Sequence, residues 1–186
     1  MVSQSTGQGC RLTGALPSGE WCSSDSQGCP CGFRGDGTKE CTCSDSTVSR
    51  YQRRISGPLL DRIDIFVDVP RVDYEKLADD AVGEPSEAVR GRVQTARGRQ
   101  QERFAGSRFI CNAEMTPLEV RQYCQMALED AAKSLLRLAM NQLALSARSF
   151  HRILKLARTI ADLSGAEAIA SSHLAEALQY RQRGQG

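Results

Sequence analysis

The chain has 186 residues, with 24 Lys plus Arg against 22 Asp plus Glu and a formal net charge of +2. That length holds one ordinary domain or two small ones, and the charge alone selects no class of partner. No apolar run approaches the roughly 18 residues that span a bilayer, and the Gly-, Ser- and Gln-rich start lacks the apolar stretch of a signal peptide, so no membrane partner is expected. Eight cysteines without a secretory signal point to a cytoplasmic protein, where closely spaced thiols bind metal more often than they form disulfides.

Residues 1–28 have few apolar side chains and no periodicity, and are expected to be disordered. Two C-x-C pairs follow, Cys29-Pro30-Cys31 and Cys41-Thr42-Cys43, separated by nine residues. Two close thiol pairs on a short loop can supply the four tetrahedral ligands of a structural zinc ion, leaving no open position for water. Gly32, Gly35 and Gly37 give the loop its turns. Reduced surface cysteines without metal are the alternative. Cys10, Cys22, Cys111 and Cys124 read as inert.

A short helix is expected over 44–54, capped by Ser44, with Val48, Tyr51 and Gln52 on one side. Ser56-Gly57-Pro58 ends it, and Leu59 and Leu60 supply an apolar anchor. Over 63–69, Ile63, Ile65, Val67 and Val69 alternate with Asp64, Phe66 and Asp68, the period of a strand that Pro70 closes. No second strand of comparable quality is legible, and one strand cannot satisfy its own backbone; the segment reads as an orphan from a larger sheet. Arg62 stands at the turn before it. A guanidinium held there could neutralise charge on a transferring phosphoryl group, although an arginine between two aspartates is more often in a surface ion pair.

An acidic linker over 71–85 leads into a helical remainder, 86–183. Ser86 caps a segment carrying Val89, Val93, Ala96 and Phe104. Thr116-Pro117-Leu118-Glu119 is a capping box with proline at the first helical position. A helix over 127–143 is expected to bury Leu128, Ala131, Leu135, Leu138 and Ala139. Another opens at Ser146, turns Phe150, Ile153, Leu154, Ala157, Ile160 and Ala161 inward, and stops at Gly165. Ser171 or Ser172 caps the last helix. Residues 131–161 carry six bases and no acid, a solvated face or a phosphate-facing one. Arg148 falls in the first turn of its helix, where free N–H groups already favour an anion. His151 and His173 lack a triad or a second metal ligand and read as structural. There is no G-x-x-x-x-G-K-[ST] loop and no apolar strand ending in paired acids to hold magnesium.

Several strings together resemble a known family. C-P-C-G at 29–32 with C-T-C at 41–43, Arg50-Tyr51, S-G-P-L-L-D-R-I-D at 56–64, L-S-A-R at 145–148, A-R-T-I-A-D-L at 157–163 and H-L-A-E-A-L-Q-Y-R at 173–181 are similar to the C-terminal part of the magnesium-chelatase-like AAA+ ATPases of the ComM (YifB) group. The resemblance implies a mainly α fold: a helical lid bundle over 86–183, preceded over 29–70 by a remnant of the ATPase core with a four-cysteine zinc knuckle and one orphan β-strand. It implies that Arg62 is an arginine finger acting in trans and Arg148 a sensor-2 arginine on the lid. Cys29, Cys31, Cys41 and Cys43 become ligands of a structural zinc. Full-length members are hexameric rings associated with DNA branch migration, so neighbouring AAA+ subunits and DNA are the implied partners, and ATP and magnesium belong to the intact parent.

Two departures matter. The family's A-M-N-P before C-P-C-G is replaced here by Asp25-Ser26-Gln27-Gly28, and residues 1–28 resemble no part of it. The expectation is a remnant of a disrupted or misassembled gene that does not hydrolyse ATP alone. The rivals are a subunit that joins intact rings of a relative and a small zinc-containing DNA-binding module.

Overall fold

The computed structural model describes residues 29–34, 39–54, 63–67, 83–143 and 145–181. Two compact units divide the chain between Leu60 and Asp61.

In the first unit, the chain turns at Cys29, where the Gly32 N–H donates to the Cys29 carbonyl at 3.1 Å. Gly32 takes φ +81°, a left-handed conformation that a side chain disfavours. Helix α1 (Asp45–Gln52) comes next, and the Ser44 hydroxyl accepts from the Thr47 N–H at 3.4 Å as its cap. Val48 is buried, with Tyr51 and Gln52 half-buried beside it, the face expected from the sequence.

The second unit is helical. Helix α2 (Ser86–Arg103) leads through a 3₁₀ turn (Asn112–Glu114) to the short α3 (Pro117–Val120), which runs into a π-helical turn (Arg121–Gln125). Helices α4 (Asp130–Gln142), α5 (Ala147–Ser164) and α6 (Ser171–Gln179) complete it. Ile153, Leu154, Ala157 and Ala161 of α5 are fully buried and pack in one core with Phe104, Val120, Cys124, Ile169, Leu174 and Ala177. Burying a Leu or Ile side chain is worth about 1.5–3 kcal/mol each, so α5 is the axis of the bundle. It starts at Ser146, whose hydroxyl accepts from the Ser149 N–H at 3.2 Å, and ends at Gly165 with φ +85°. Both limits match the sequence reading.

The Thr116–Glu119 box is formed: the Glu119 carboxylate accepts from the Thr116 N–H at 2.9 Å. The helix it opens does not continue into α4. It widens into the π turn, and α4 starts afresh at Asp130 after a parallel bridge between Leu128 and Ile169. There the Ile169 N–H donates to the Ala127 carbonyl at 2.8 Å and the Glu129 N–H to the Ile169 carbonyl at 3.2 Å.

The restart rotates the buried face. Of the expected face, Leu128 and Ala139 are buried and Leu135 is half-buried against the core, whereas Leu138 is 52% exposed and Ala131 is exposed; Ala132 and Leu136 point inward in their place. On α2 the apolar line is buried only at its C-terminal end. Ala96 and Phe104 are in the core, but Val89 and Val93 are exposed. The expected caps also shift by one: Pro85 precedes α2, and Ala170 precedes α6. In place of a serine, His173 Nδ1 accepts from the Ala170 N–H at 3.2 Å. Residues 63–67 have no sheet partner among the described residues. The Phe66 N–H donates to the Tyr180 carbonyl at 2.8 Å instead.

Candidate metal centre and exposed arginine

Cys29, Cys31, Cys41 and Cys43 converge, with all four sulfurs within 4.8 Å of one another. Cys29 and Cys31 Sγ are 3.3 Å apart, and Cys41 Sγ lies 3.6 Å from each of them. A tetrahedral site with metal–sulfur bonds of about 2.3 Å requires sulfur separations of about 3.8 Å. The cluster therefore needs only small adjustments to hold a metal ion. Cys29 is buried and the other three are half-buried, which limits the access of water.

The chemistry of the donors agrees. The Phe33 backbone N–H and the Cys29 thiol bring Cys31 down to about 6. For Cys29, burial and the Cys31 contact push upward, but the Cys41 thiol and the N–H groups of Arg34 and Gly32 outweigh them and lower it. The Cys43 N–H favours the Cys41 thiolate, yet burial and the thiols of Cys29 and Cys31 push Cys41 up to about 12. Cys43 is also raised, chiefly by its contact with Cys31. Four thiols so close cannot all ionise without a cation. A bound metal supplies that charge and displaces the remaining protons.

Arg148 is the second residue of α5, one position past the Ser146-capped start. Its side chain is exposed and makes no hydrogen bond or ion pair with the described residues. The other bases of the 131–161 block are mostly engaged. Lys133 pairs with Asp130 at 2.9 Å, Arg152 with Asp64 at 2.8 Å, and Lys155 Nζ donates to the Ala113 carbonyl at 2.8 Å. Arg158, read from the sequence as part of a basic face, is 2% exposed. Its guanidinium donates to the Asp162 carboxylate and to the carbonyls of Ala166 and Glu167. Four of the six bases thus hold partners; Arg137 on α4 and Arg148 are exposed and make no hydrogen bond or ion pair with the described residues, and of these two only Arg148 sits at a helix start.

Arg62 lies outside the described residues, as do Cys10 and Cys22. Cys124 is buried, and its surroundings push the thiol up to about 12, chiefly through burial, which fits the inert reading. The sequence reading missed Arg103, Asn112 and Asp162, which meet in one buried network, and Arg181, which donates to both Ile63 O and Ser149 Oγ at 3.0 Å. Separations of 59 and 118 residues leave no periodic signal for such pairs.

Two known family patterns match most of the chain. The family described as magnesium chelatase, subunit ChlI, matches residues 24–77, and that described as magnesium chelatase, subunit ChlI C-terminal, matches residues 83–181. Competence protein ComM of Haemophilus influenzae is 43% identical over 139 residues, covering 74% of this chain and 26% of ComM. YifB of Escherichia coli is 39% identical over 140 residues, covering 75% and 26% respectively. The Mycobacterium tuberculosis protein Rv2897c is 36% identical over 157 residues, covering 84% and 30%. The chain therefore spans between a quarter and a third of the length of these relatives. With the ChlI C-terminal pattern running over more than half of its residues, this chain belongs to the magnesium-chelatase family, in its ComM- and YifB-like branch.

Proposed function

We propose that this chain is the lid-and-finger portion of an AAA+ ATPase of the ComM kind, a family we associate with DNA branch migration. It acts beside neighbouring subunits and does not hydrolyse ATP alone. Arg148 faces the nucleotide of its own subunit, and Arg62 reaches the nucleotide of the next. Zinc is the ion we assign to the four cysteines, because a closed tetrahedral thiolate set suits it.

The observation that carries this reading is the exposed, unengaged Arg148 in the first turn of a capped 18-residue helix. A guanidinium there adds its charge to the free N–H groups of the helix start, and phosphate oxygens fit both. ATP would supply the transferable phosphoryl group. The chain's residues contribute charge and position, and an arginine finger alone is worth about 10³–10⁵ in rate. The 186 residues contain no G-x-x-x-x-G-K-[ST] string to cradle a triphosphate, which supports inactivity of the chain by itself. Phosphate binding along 131–161, as in a DNA-binding module, is the weaker reading, because four of its six bases already hold partners.

The test is an ATPase assay of the purified chain, alone and mixed with a full-length relative. The expected result is no turnover alone and altered turnover in the mixture. Arg62→Ala and Arg148→Ala should each change that second effect. Turnover by the chain alone would overturn the proposal.

A further inference from the structure

We infer that Arg181 is a positioning residue: with the Asp64–Arg152 ion pair it clamps the segment beginning at Ile63 to the first turn of α5. The significance of the clamp rests on the roles proposed above for Arg62 and Arg148; its existence does not.

One guanidinium makes the bridge. Arg181 Nη1 donates to the Ile63 carbonyl and Nη2 to Ser149 Oγ, each at 3.0 Å. Ser149 is only 2% exposed. Its N–H donates to Ser146 Oγ at 3.2 Å, and its hydroxyl accepts from the Ser146 hydroxyl at 3.1 Å. Arg181 therefore ties Ile63 directly into the capping group of α5, in the turn that presents Arg148. The planar fork of a guanidinium fixes both acceptors at once, which a lysine ammonium on a flexible stem does less rigidly.

Two further contacts keep the segment from pivoting. Asp64 Oδ1 and Arg152 Nη1 are 2.8 Å apart, one helical turn beyond Arg148, and the Phe66 N–H donates to the Tyr180 carbonyl at 2.8 Å. Asp64 is 59% exposed, so its pair alone contributes little. It gains weight by acting with the neutral bonds on either side. Backbone hydrogen bonds at residues 63 and 66, with the Asp64 side-chain ion pair between them, hold the segment to α5 and to the residues after α6. Arg62 is one peptide bond from Ile63. A displacement of the α5 start by charge at Arg148 would move Ile63 with it, linking the arginine that faces one nucleotide to the arginine that faces the next.

The experiment places spin labels at Ile65 and Arg148, both exposed in the full chain, and records their distance distribution. The native chain should give one narrow distance. Arg181→Ala should lose that narrow population while helix content is kept, Arg181→Lys should recover part of it, and Asp64→Asn should broaden it less than Arg181→Ala does. A broad distribution in the native chain, or one in Arg181→Ala as narrow as the native, overturns the clamp. If Arg181→Ala fails to fold, Asp64→Asn and Arg152→Gln decide, since an unchanged distance in both also overturns it. In rings mixed with a full-length relative, Arg181→Ala should lower kcat with KM for ATP unchanged, by a smaller factor than Arg62→Ala. A narrow native distance lost in Arg181→Ala, with ring turnover indifferent to Arg62→Ala, keeps the clamp and removes the nucleotide reading.

Discussion

Arg158 and Asp162 stand one turn apart on α5 with Nη2 and Oδ1 separated by 3.1 Å, and their side chains are 3% and 0% exposed. Arg103 closes on the same carboxylate from α2 with bonds of 2.8 and 2.5 Å, and Asn112 Nδ2 donates to it at 2.8 Å. Two cations share one buried anion, and Arg158 also reaches two carbonyls beyond the helix end. Asp162→Asn keeps the shape but leaves two guanidinium groups without a counter-charge. Loss of one partner of a buried pair costs about 3–5 kcal/mol, so urea unfolding of this variant should show a midpoint lowered by that amount of stability. A midpoint within error of the native chain would mean that water reaches the network.

The same carboxylate makes stability depend on pH. Burial pushes Asp162 upward, but the hydrogen bonds from Arg103 and Asn112 and the charges of Arg103 and Arg158 outweigh it and hold the group below its ordinary value. As pH falls, the unfolded chain takes up this proton first. The contribution is therefore complete above the ordinary aspartate value of about 3.9 and is lost as pH drops through the lower folded value. The difference in urea midpoint between the native chain and Asp162→Asn should be constant from neutrality to about pH 5 and shrink below about pH 4. A difference that persists undiminished in acid would remove the linkage.

How much of this arrangement is legible in the sequence depends on the range of the interaction. Ser146 and Gly165 are local signals, a hydroxyl and a missing Cβ, and they mark both ends of α5. The Thr116–Glu119 box is equally legible, but the break beyond it is not. The π turn at Arg121–Gln125 and the Leu128–Ile169 bridge reset the helical phase, so the face of α4 cannot be extrapolated through them. Arg158 misleads because, although Asp162 stands at i+4, the burial that makes the pair structural comes from Arg103 and the loop at 166–167. The four cysteines are readable by spacing, since a short loop leaves few other places for them. Arg148 can be placed at its helix start, yet its freedom becomes visible only once the neighbouring bases have found partners.

Gly165 supplies a third test. The Ala166 N–H donates to the Ala161 carbonyl at 2.9 Å and the Gly165 N–H to the Asp162 carbonyl at 3.3 Å, a turn that requires the left-handed conformation at Gly165. A Cβ there would also lie 3.3 Å from Arg99 Nη2, a flexible group able to yield. Gly165→Ala should destabilise the bundle by about 1–2 kcal/mol through the backbone alone. Gly165→Asn should cost less, because asparagine tolerates this region. Thermal melts of the two variants would check the order, and equal melts would point to a relaxed turn.

The Ser146 cap can be measured separately from any role of Arg148. Its hydroxyl satisfies the Ser149 N–H and also touches the Ser149 hydroxyl. Ser146→Ala should cost about 1 kcal/mol, and Ser146→Asp, which preserves an acceptor, should recover most of it. Because Ser149 Oγ also receives Arg181, hydrogen exchange at the Phe66 amide should quicken in Ser146→Ala. No change there would show that the cap and the 63–67 segment respond independently.

The cysteine cluster gives the prediction with the broadest reach. Four sulfurs within 4.8 Å hold a divalent ion tightly only when all are thiolates, and binding must release the protons kept on Cys41 and Cys43. The chain purified under reducing conditions should carry one zinc per molecule, and cobalt(II) exchanged into it should give the absorption of a tetrahedral thiolate site. Cys29→Ser and Cys43→Ser should each lose that spectrum and release metal to a chelator more readily. Affinity should fall steeply with acid, because protons compete for every ligand. Chelation should loosen the first unit, including the environment of Tyr51, while the helical signal of α2–α6 survives, since none of that core is built on the metal. Full helical melting on chelation would mean instead that the metal holds the whole chain together.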